Sequence, residues 1–192
     1  PLIADMSSDI FSREFDANPF HLIYAGAQKN MGPAGTVMYA FDTEAVGKTN
    51  RSIPSYLDLQ VHASKDSMFN TPSVFPVYVT MLTLRWIKAM GGVKAMETRN
   101  AKKAGLIYGE IDRNALFEGH AETNSRSTMN ATFRLKDEGH AQAFDALWKE
   151  AGISGIKGHR SVGGYRASMY NALPEESVQV LVDVMKELER QA

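Results

Sequence analysis

The spacing of apolar residues changes along the chain and divides it into two parts. In the first part, apolar residues form short continuous runs bounded by Gly, Pro, Asn or Asp, which is typical of buried strands in α/β sheets. These predicted strands cover residues 2–4, 21–25 and 35–41. A polar, irregular stretch at 48–70 follows. Thr71 as N-cap and Pro72 at the first helical position then predict a helix that reaches Met90.

The second part alternates helical and strand patterns over shorter distances. Gly91 and Gly92 separate the first helix from a second one, at 93–113, and such a helix pair can connect two domains. Further helices are predicted where apolar residues recur every three or four positions, and strands where they alternate. The helices lie at 141–151 and 174–190, and the strands at 129–135, 153–156 and 165–170. The order β-α-β-β-α predicts a small α+β domain.

Composition narrows the functional classes. The 192 residues carry 21 basic and 22 acidic side chains, a net charge of −1, so the chain has no overall positive field for nucleic acid or an anionic membrane. The absence of Cys excludes disulfides and thiol catalysis. No apolar stretch is long enough to cross a membrane, and the five His lack the spacing of metal ligands, so no metal is expected.

The glycine-rich stretch 25–35 contains Lys29 and follows a predicted buried strand. Ligands bind at the carboxyl ends of strands in α/β sheets, and a buried lysine there can act as a nucleophile toward carbonyl groups. Asp5 also ends a strand, so we expect it at the same edge, where a carboxylate can hold a protonated ring nitrogen. A turn with a solvated Lys29, and an Asp5 that caps a turn, would give the same local patterns.

A second candidate site is the stretch 158–166, where His159, Arg160 and Arg166 lie among glycines. Arginine offers a planar fork that matches carboxylate and phosphate, and glycines allow the backbone to approach an anion. A solvated basic loop is the alternative interpretation.

Four segments together resemble the phosphoserine aminotransferase family. They are residues 5–9 (DMSSD), 24–35 (YAGAQKNMGPAG), 70–72 (NTP) and 158–168 (GHRSVGGYRAS). The resemblance extends over the whole chain and implies the α/β fold of type I pyridoxal-phosphate-dependent transferases. It implies part of the large cofactor-binding domain at 1–90, and the interdomain helix with a small α+β domain at 91–192.

The resemblance also implies cofactor-binding roles. Lys29 matches the catalytic lysine that bonds to pyridoxal 5′-phosphate, and Asp5 matches the aspartate that pairs with its pyridine nitrogen. Gln28 matches a ligand of the cofactor phosphate. Asn70 and Thr71 match residues that reach the cofactor phosphate of the partner subunit, so a homodimer with shared active sites is implied.

Substrate binding is implied in the second part of the chain. His159 and Arg160 match residues that bind the substrate phosphate or side-chain carboxylate across the interface, and Arg166 matches the arginine for the α-carboxylate. The implied reaction transfers an amino group between glutamate and 3-phosphohydroxypyruvate, in cytoplasmic serine biosynthesis. Bacterial family members can also serve pyridoxine synthesis.

The beginning of the chain limits this expectation. Pro1 lies at the start of an apolar run with no Met before it, which indicates a missing N-terminal part. In the family, that part supplies the aromatic residue that stacks on the cofactor, further phosphate ligands and another arginine. We therefore expect no useful transaminase activity from these 192 residues alone. The alternatives are a non-catalytic C-terminal fragment that binds anions or a partner chain, and another class-V aminotransferase.

Overall fold

The computed structural model describes residues 1–48, 50–158 and 163–192. They form two compact units, Pro1–Lys94 and Ala95–Ala192, which we call the first and the second unit. The sequence-based assignment of a large-domain part at 1–90 and an interdomain helix with a small domain at 91–192 stays a prediction.

A three-stranded sheet organises the first unit. Its strands β1 (Ile3–Asp5), β2 (Leu22–Gly26) and β3 (Val37–Phe41) lie in the order β1-β2-β3. Strand β1 is parallel to β2, and β3 is antiparallel to it. One face of the sheet packs on a small apolar cluster. The cluster comprises Met6, Ile10, Ile23, Ala25, Ala27 and Met31.

The expectation that all three strands are buried is wrong for the described chain. Ile3 is 57% exposed, and Val37 and Tyr39 are each 50% exposed. Residues of this chain cover only one face of the sheet, so side chains that point to the other face remain accessible. An apolar run therefore predicted the strand correctly but not its burial.

The helices of the first unit differ from the prediction in two ways. A short helix, α1 (Leu59–Ala63), lies within the stretch expected to be irregular, and the Asp58 side chain accepts a hydrogen bond from the Gln60 N–H (2.9 Å) at its start. Helix α2 (Val74–Ala89) begins after Ser73, so Thr71 and Pro72 precede it. Pro76 explains the shift. A helix that began at Pro72 would need the missing N–H of Pro76 in its interior, whereas a start at Val74 keeps Pro76 in the first turn.

The second unit is an antiparallel sheet covered by helices. Helix α3 (Gly92–Arg113) leads into it and is followed by β4 (Phe117–Gly119), β5 (Asn130–Leu135), α4 (Ala141–Glu150), β6 (Tyr165–Ser168) and α5 (Glu175–Gln191). The strands lie in the order β4-β5-β6. The predicted order of elements is wrong, since β4 replaces the expected strand at 153–156. That segment contributes no strand, and Lys157 forms only an isolated bridge with Tyr165.

The core of the second unit is aromatic at its centre. Phe144 on α4 is fully buried, with ring centroids 5.0 Å from Phe117 and 4.8 Å from Tyr165. Helix α5 contributes an apolar stripe, and its predicted members are all buried: Val178, Leu181, Val182, Met185 and Leu188. Val184, which the periodicity did not include, is buried as well. Because this core includes both sheet and helix residues, it fixes the position of β6, the strand that carries Arg166.

Candidate active site

Two candidate residues of the first unit lie at the same edge of its sheet. Asp5 is the last residue of β1, and its register partner in the parallel strand β2 is Tyr24. Strand β2 ends at Gly26, and Lys29 follows three residues later. The carboxyl ends of adjacent parallel strands are where α/β proteins bind ligands. The structure therefore places the carboxylate and the amine as expected, although Lys29 is exposed and not buried.

Hydrogen bonds connect the loops that carry these two residues. The Ser7 hydroxyl accepts a hydrogen bond from the Gly26 N–H (3.0 Å). Asn30, which is 3% exposed, donates its side-chain amide to the carbonyl oxygens of Ile10 (3.1 Å) and Ser8 (3.4 Å). Since Asn30 directly follows Lys29, these bonds hold the backbone beside the amine while the amine itself stays accessible.

The environment of Asp5 favours its ionised form. Hydrogen bonds from Ser7 are the main cause that lowers the pKa of Asp5. Burial raises this pKa by less, and the Tyr24 hydroxyl and the positive charge of Lys29 lower it by smaller amounts still. The Ser7 N–H lies 2.9 Å from Asp5 Oδ1. In turn, the hydrogen bond to Asp5 raises the pKa of Tyr24. The site thus presents a carboxylate anion beside a lysine at neutral pH.

The sequence reasoning missed Ser7 and Tyr24. The hydrogen bond from the Ser7 N–H agrees with the alternative interpretation that Asp5 caps a turn, since an aspartate commonly accepts from the backbone two residues on. The contribution of the Ser7 hydroxyl was not anticipated. Tyr24 could not be predicted, because its proximity to Asp5 depends on strand register, which no local pattern shows.

The glycines of the stretch 25–35 have structural reasons. A Cβ atom on Gly32 would lie 2.9 Å from Thr80 Oγ1 and 3.2 Å from Thr80 Cα, so α2 can approach only a glycine there. Gly35 has a φ of +109°, which other residues rarely adopt. Gly26 differs from these two, because the atoms nearest to a Cβ there all belong to the Gln28 side chain, which is exposed and can move aside.

Asn70 and Thr71 lie apart from this arrangement. Both are exposed, and the Asn70 side-chain amide donates to the Thr71 carbonyl oxygen at 3.2 Å. In the described part of the first unit, no hydrogen bond or ion pair joins either side chain to Asp5, Gln28 or Lys29. The structure thus leaves both side chains accessible, and their roles stay predictions.

Arg166 is the candidate of the second unit that the structure describes. It lies on β6 opposite Thr132 of β5, with its side chain exposed. It borders a pocket of about 360 Å³ between β6, the loop 151–156 and α5, and a second pocket of about 230 Å³ that it shares with His120 and Arg134. None of the described carboxylates forms an ion pair with Arg166. His159 and Arg160 lie outside the described residues.

The backbone on both sides of residues 159–162 is fixed by close pairing. The Gly158 N–H donates to the Gly164 carbonyl oxygen (2.8 Å), and the Arg166 N–H donates to that of Ile156 (2.7 Å). A Cβ on Gly158 would lie 2.0 Å from the Gly163 oxygen, and Gly164 has a φ of +62°. These glycines allow segment 156–158 and segment 163–166 to approach each other closely.

Asp145 on α4 stabilises the backbone on both sides of residues 159–162. Its carboxylate forms an ion pair with Lys157 (2.5 Å) and accepts hydrogen bonds from Trp148 Nε1 (3.0 Å) and the Tyr165 hydroxyl (3.1 Å). Burial raises the pKa of Asp145, but these three donors outweigh it, and the net pKa is lowered. Asp145 therefore links α4 to the residues directly before Gly158 and directly before Arg166.

Two further properties concern the described residues as a whole. Among residues 1–48, 50–158 and 163–192, none of the helices combines the length and the apolar character that a membrane span requires. The same ranges contain no group of three or more His, Asp or Glu side chains arranged to hold a metal ion.

Solved structures define the class of fold. The chain resembles a phosphoserine aminotransferase from Bacillus circulans subsp. alkalophilus with a TM-score of 0.94 and 44% identity, over 100% of this chain and 53% of that one. A phosphoserine aminotransferase from Trichomonas vaginalis, solved with bound PLP, gives a TM-score of 0.90 and 35% identity, over 97% and 53%. The fold is therefore the α/β fold of type I aminotransferases, as the sequence resemblance implied.

Sequence comparison gives the family. The model of the class-V aminotransferases matches residues 2–181, and the chain belongs to this family. A phosphoserine aminotransferase from Flavobacterium johnsoniae is 64% identical over 189 residues, which cover 98% of this chain and 53% of that protein. The chain spans about half the length of the curated relatives it matches. The expected resemblance to phosphoserine aminotransferases is confirmed.

Proposed function

We propose that this chain supplies the lysine- and arginine-bearing half of a phosphoserine aminotransferase. The whole enzyme would transfer an amino group between glutamate and 3-phosphohydroxypyruvate in the cytoplasm. The observation that carries this proposal is the placement of Asp5 and Lys29 at the carboxyl ends of two adjacent parallel strands. The 64% identity to the Flavobacterium johnsoniae protein supports the choice of substrate within the family.

The donor set fits pyridoxal 5′-phosphate. An accessible primary amine can bond to its aldehyde, an ionised carboxylate can face its protonated ring nitrogen, and the amide of Gln28 can donate to its phosphate. When bound, this cofactor acts as the electron sink for the negative charge that develops at the substrate Cα.

The chain's own residues would then do three things. Asp5, kept ionised by Ser7, holds a proton at the ring nitrogen. Lys29 Nζ would take the proton from the substrate Cα as general base and, as general acid, donate it to C4′ of the cofactor. Arg166 binds the substrate α-carboxylate with its planar fork, for which the absence of a described carboxylate partner leaves it available.

The remaining roles follow the resemblance. Asn70 and Thr71 would bind the cofactor phosphate of a partner subunit in a homodimer, which agrees with their exposure and their lack of described contacts with Lys29. His159 and Arg160 would bind the substrate phosphate. These roles imply that two subunits share each active site.

A full-length chimaera tests the proposal. It joins the N-terminal half of the Flavobacterium johnsoniae relative to these 192 residues. We expect a glutamate-responsive absorbance band of lysine-bound cofactor, and faster reaction with 3-phosphohydroxypyruvate than with its unphosphorylated analogue. Lys29→Ala should abolish the band and lower the rate by at least about 10²-fold, since it removes the general base. Lys65→Ala, at another exposed lysine of the first unit, is the control.

Two results would contradict the proposal. One is normal turnover in the Lys29→Ala chimaera, and the other is equal reaction with and without the substrate phosphate. The 192 residues alone form a further arm of the experiment, for which we expect no glutamate-responsive band.

A further inference from the structure

Lys103 is a buried cation in the core of the second unit. It lies on α3, its side chain is fully buried, and Nζ donates to the carbonyl oxygens of Met169 (2.9 Å), Tyr170 (2.8 Å) and Leu173 (3.3 Å). A lysine ammonium has three N–H donors, and all three are used here. The group is therefore fully satisfied by backbone oxygens.

A buried positive charge at this position is energetically unfavourable compared with an apolar side chain. Burial of an ammonium without a carboxylate is costly, and a methionine of similar length would fill the space without that cost. No described carboxylate forms an ion pair with Lys103. Burial, with a contribution from the positive charge of Arg99, lowers the pKa of Lys103 to about 8. The three hydrogen bonds from Nζ therefore offset part of the cost of burying the ammonium group.

The three carbonyl groups belong to the segment that directly follows β6. This segment, 169–173, turns back on itself, since the Leu173 N–H donates to the Tyr170 carbonyl oxygen (2.9 Å). Asn100, one helical turn before Lys103, adds a buried hydrogen bond to the Asn171 side chain (2.8 Å). Helix α3 therefore holds the segment 169–173 at two kinds of group: Lys103 binds backbone oxygens of the segment, and Asn100 binds its Asn171 side chain.

Strand β6 lies at an edge of its three-stranded sheet, where such an anchor limits its motion. It pairs with β5 on one side, and on the other side its described contacts are the bridge from Tyr165 to Lys157 and the bond from the Arg166 N–H to the Ile156 carbonyl oxygen.

Arg166 lies three residues before Met169. Directly beyond β6, the Met169 N–H donates to the Met129 carbonyl oxygen (2.7 Å), and Lys103 adds a second hold on Met169 through its carbonyl oxygen. Edge strands open locally more easily than central ones, so bonds beyond the end of β6 limit its motion.

We propose that Lys103 is a positioning residue: by holding the carbonyl groups of Met169, Tyr170 and Leu173, it fixes the carboxyl end of β6 and thereby the orientation of Arg166 toward a substrate carboxylate. This proposal rests on the proposed function only in the role it gives to Arg166. The hold of Lys103 on the three carbonyl groups after β6, which we call the clamp, lies entirely within the second unit.

The kinetic test uses the full-length chimaera with Lys103→Met. We expect the KM for glutamate to rise about 10-fold with kcat within about 2-fold, because a displaced Arg166 weakens binding of substrate and transition state alike. The absorbance band at Lys29 should not change. Lys102→Met is the matched control, since Lys102 is the preceding residue of α3 and is exposed.

A double substitution separates positioning from general stability. If Lys103 acts through Arg166, its effect on KM should disappear once Arg166→Ala is present, since the two changes then remove the same interaction. An undiminished effect of Lys103→Met in the Arg166→Ala background would overturn the proposal, as would an unchanged KM in the single variant.

Amide hydrogen exchange of the 192-residue chain tests the clamp without catalysis. Lys103→Met should accelerate exchange at residues 165–173 by about 10-fold or more, and Lys102→Met should not. Unchanged exchange would overturn the clamp, whereas an inactive unsubstituted chimaera would overturn only the proposed function. If Lys103→Met does not fold, Lys103→Gln, which keeps two N–H donors, carries the same tests with smaller expected effects. Failure of both variants to fold, with Lys102→Met folded, would show a role in stability alone and would also overturn the proposal.

Discussion

The two units of this chain bury their apolar residues to very different degrees. Among the described residues, the core cluster of the second unit contains 18 buried residues, and that of the first unit contains six. Of the 17 large apolar side chains that are exposed in the described part of the chain, all but Val180 belong to the first unit. The second unit therefore has a continuous core of its own, whereas the first unit has a sheet with one covered face.

The two units also differ in the polar groups that they bury or expose. The second unit buries charged and polar groups that have partners inside it, such as Lys103 and Glu110, the latter bound to Arg113 and Asn114. In the first unit, the two groups with candidate chemistry, Asp5 and Lys29, are exposed. Buried polar groups hold a structure in one arrangement, and exposed ones are available to a ligand. The second unit thus carries the exposed Arg166 on a large core with buried polar contacts, whereas the first unit carries the exposed Asp5 and Lys29 on a smaller core.

The largest expected difference between the units is in the cost of removing a ring. Phe144→Ala should lower the free energy of unfolding of the second unit by about 3–5 kcal/mol, since it leaves a cavity in a packed aromatic cluster. Phe75→Ala on α2, where the ring is 70% exposed, should change stability by less than about 0.5 kcal/mol.

Urea unfolding followed by tryptophan fluorescence can compare these variants. Phe144→Ala is measured in a Trp86→Phe background, where Trp148 reports on the second unit, and Phe75→Ala in a Trp148→Phe background, where Trp86 reports on the first unit. Equal losses from the two phenylalanine substitutions would mean that the exposed ring of Phe75 is buried in solution, and the contrast between the units would not hold.

A medium effect is expected from the pH dependence of stability. The pKa of Lys103 is lowered from 10.5 to about 8 in the folded chain. Between these pH values the unfolded chain binds more protons than the folded one, so the free energy of unfolding should rise with increasing pH. The gain attributable to Lys103 should total about 1–3 kcal/mol.

The measurement compares the unsubstituted chain with Lys103→Met in urea unfolding from pH 7 to pH 10.5. Contributions from other titrating groups cancel in the difference between the two proteins. Parallel stability curves would show that burial does not disfavour the charged form of Lys103.

Much of the fold follows from local pattern, and the errors have identifiable causes. The stripe on α5 and the end of α2 before Gly91 were predicted correctly, because periodicity and chain-stop signals are local. Strand β4 was missed because it has three residues of which only Phe117 is apolar and buried. The segment 153–156 is apolar like a strand, but whether a run pairs with a neighbour depends on the rest of the sheet.

Some residues of the candidate site could likewise be predicted from local sequence signals, and others could not. Asp5 and Lys29 were found because Asp5 ends one recognisable strand and Lys29 lies shortly after another, and strand direction then places them at one edge. Tyr24 and Lys103 were not found. Their roles depend on register and on contacts between residues far apart in sequence, such as Lys103 with Met169. A lysine in a helix that is otherwise rich in exposed charge gives no local sign that it is buried.

The smallest expected effect concerns the electrostatics of Asp5 in the first unit. Tyr24→Phe removes the hydroxyl that lowers the pKa of Asp5, so this pKa should rise. The rise should be smaller than the one produced by Ser7→Gly, because the hydrogen bond from the Ser7 hydroxyl has the larger influence. Carbon-13 NMR titration of the Asp5 carboxyl measures the change directly. Tyr39→Phe is the control, since its ring stacks on Tyr24 with centroids 6.3 Å apart but its hydroxyl does not act on Asp5. If both substitutions shift the Asp5 titration equally, the ring stack and not the hydroxyl controls the carboxylate, and the reacting edge of the first unit depends on packing as much as the second unit does.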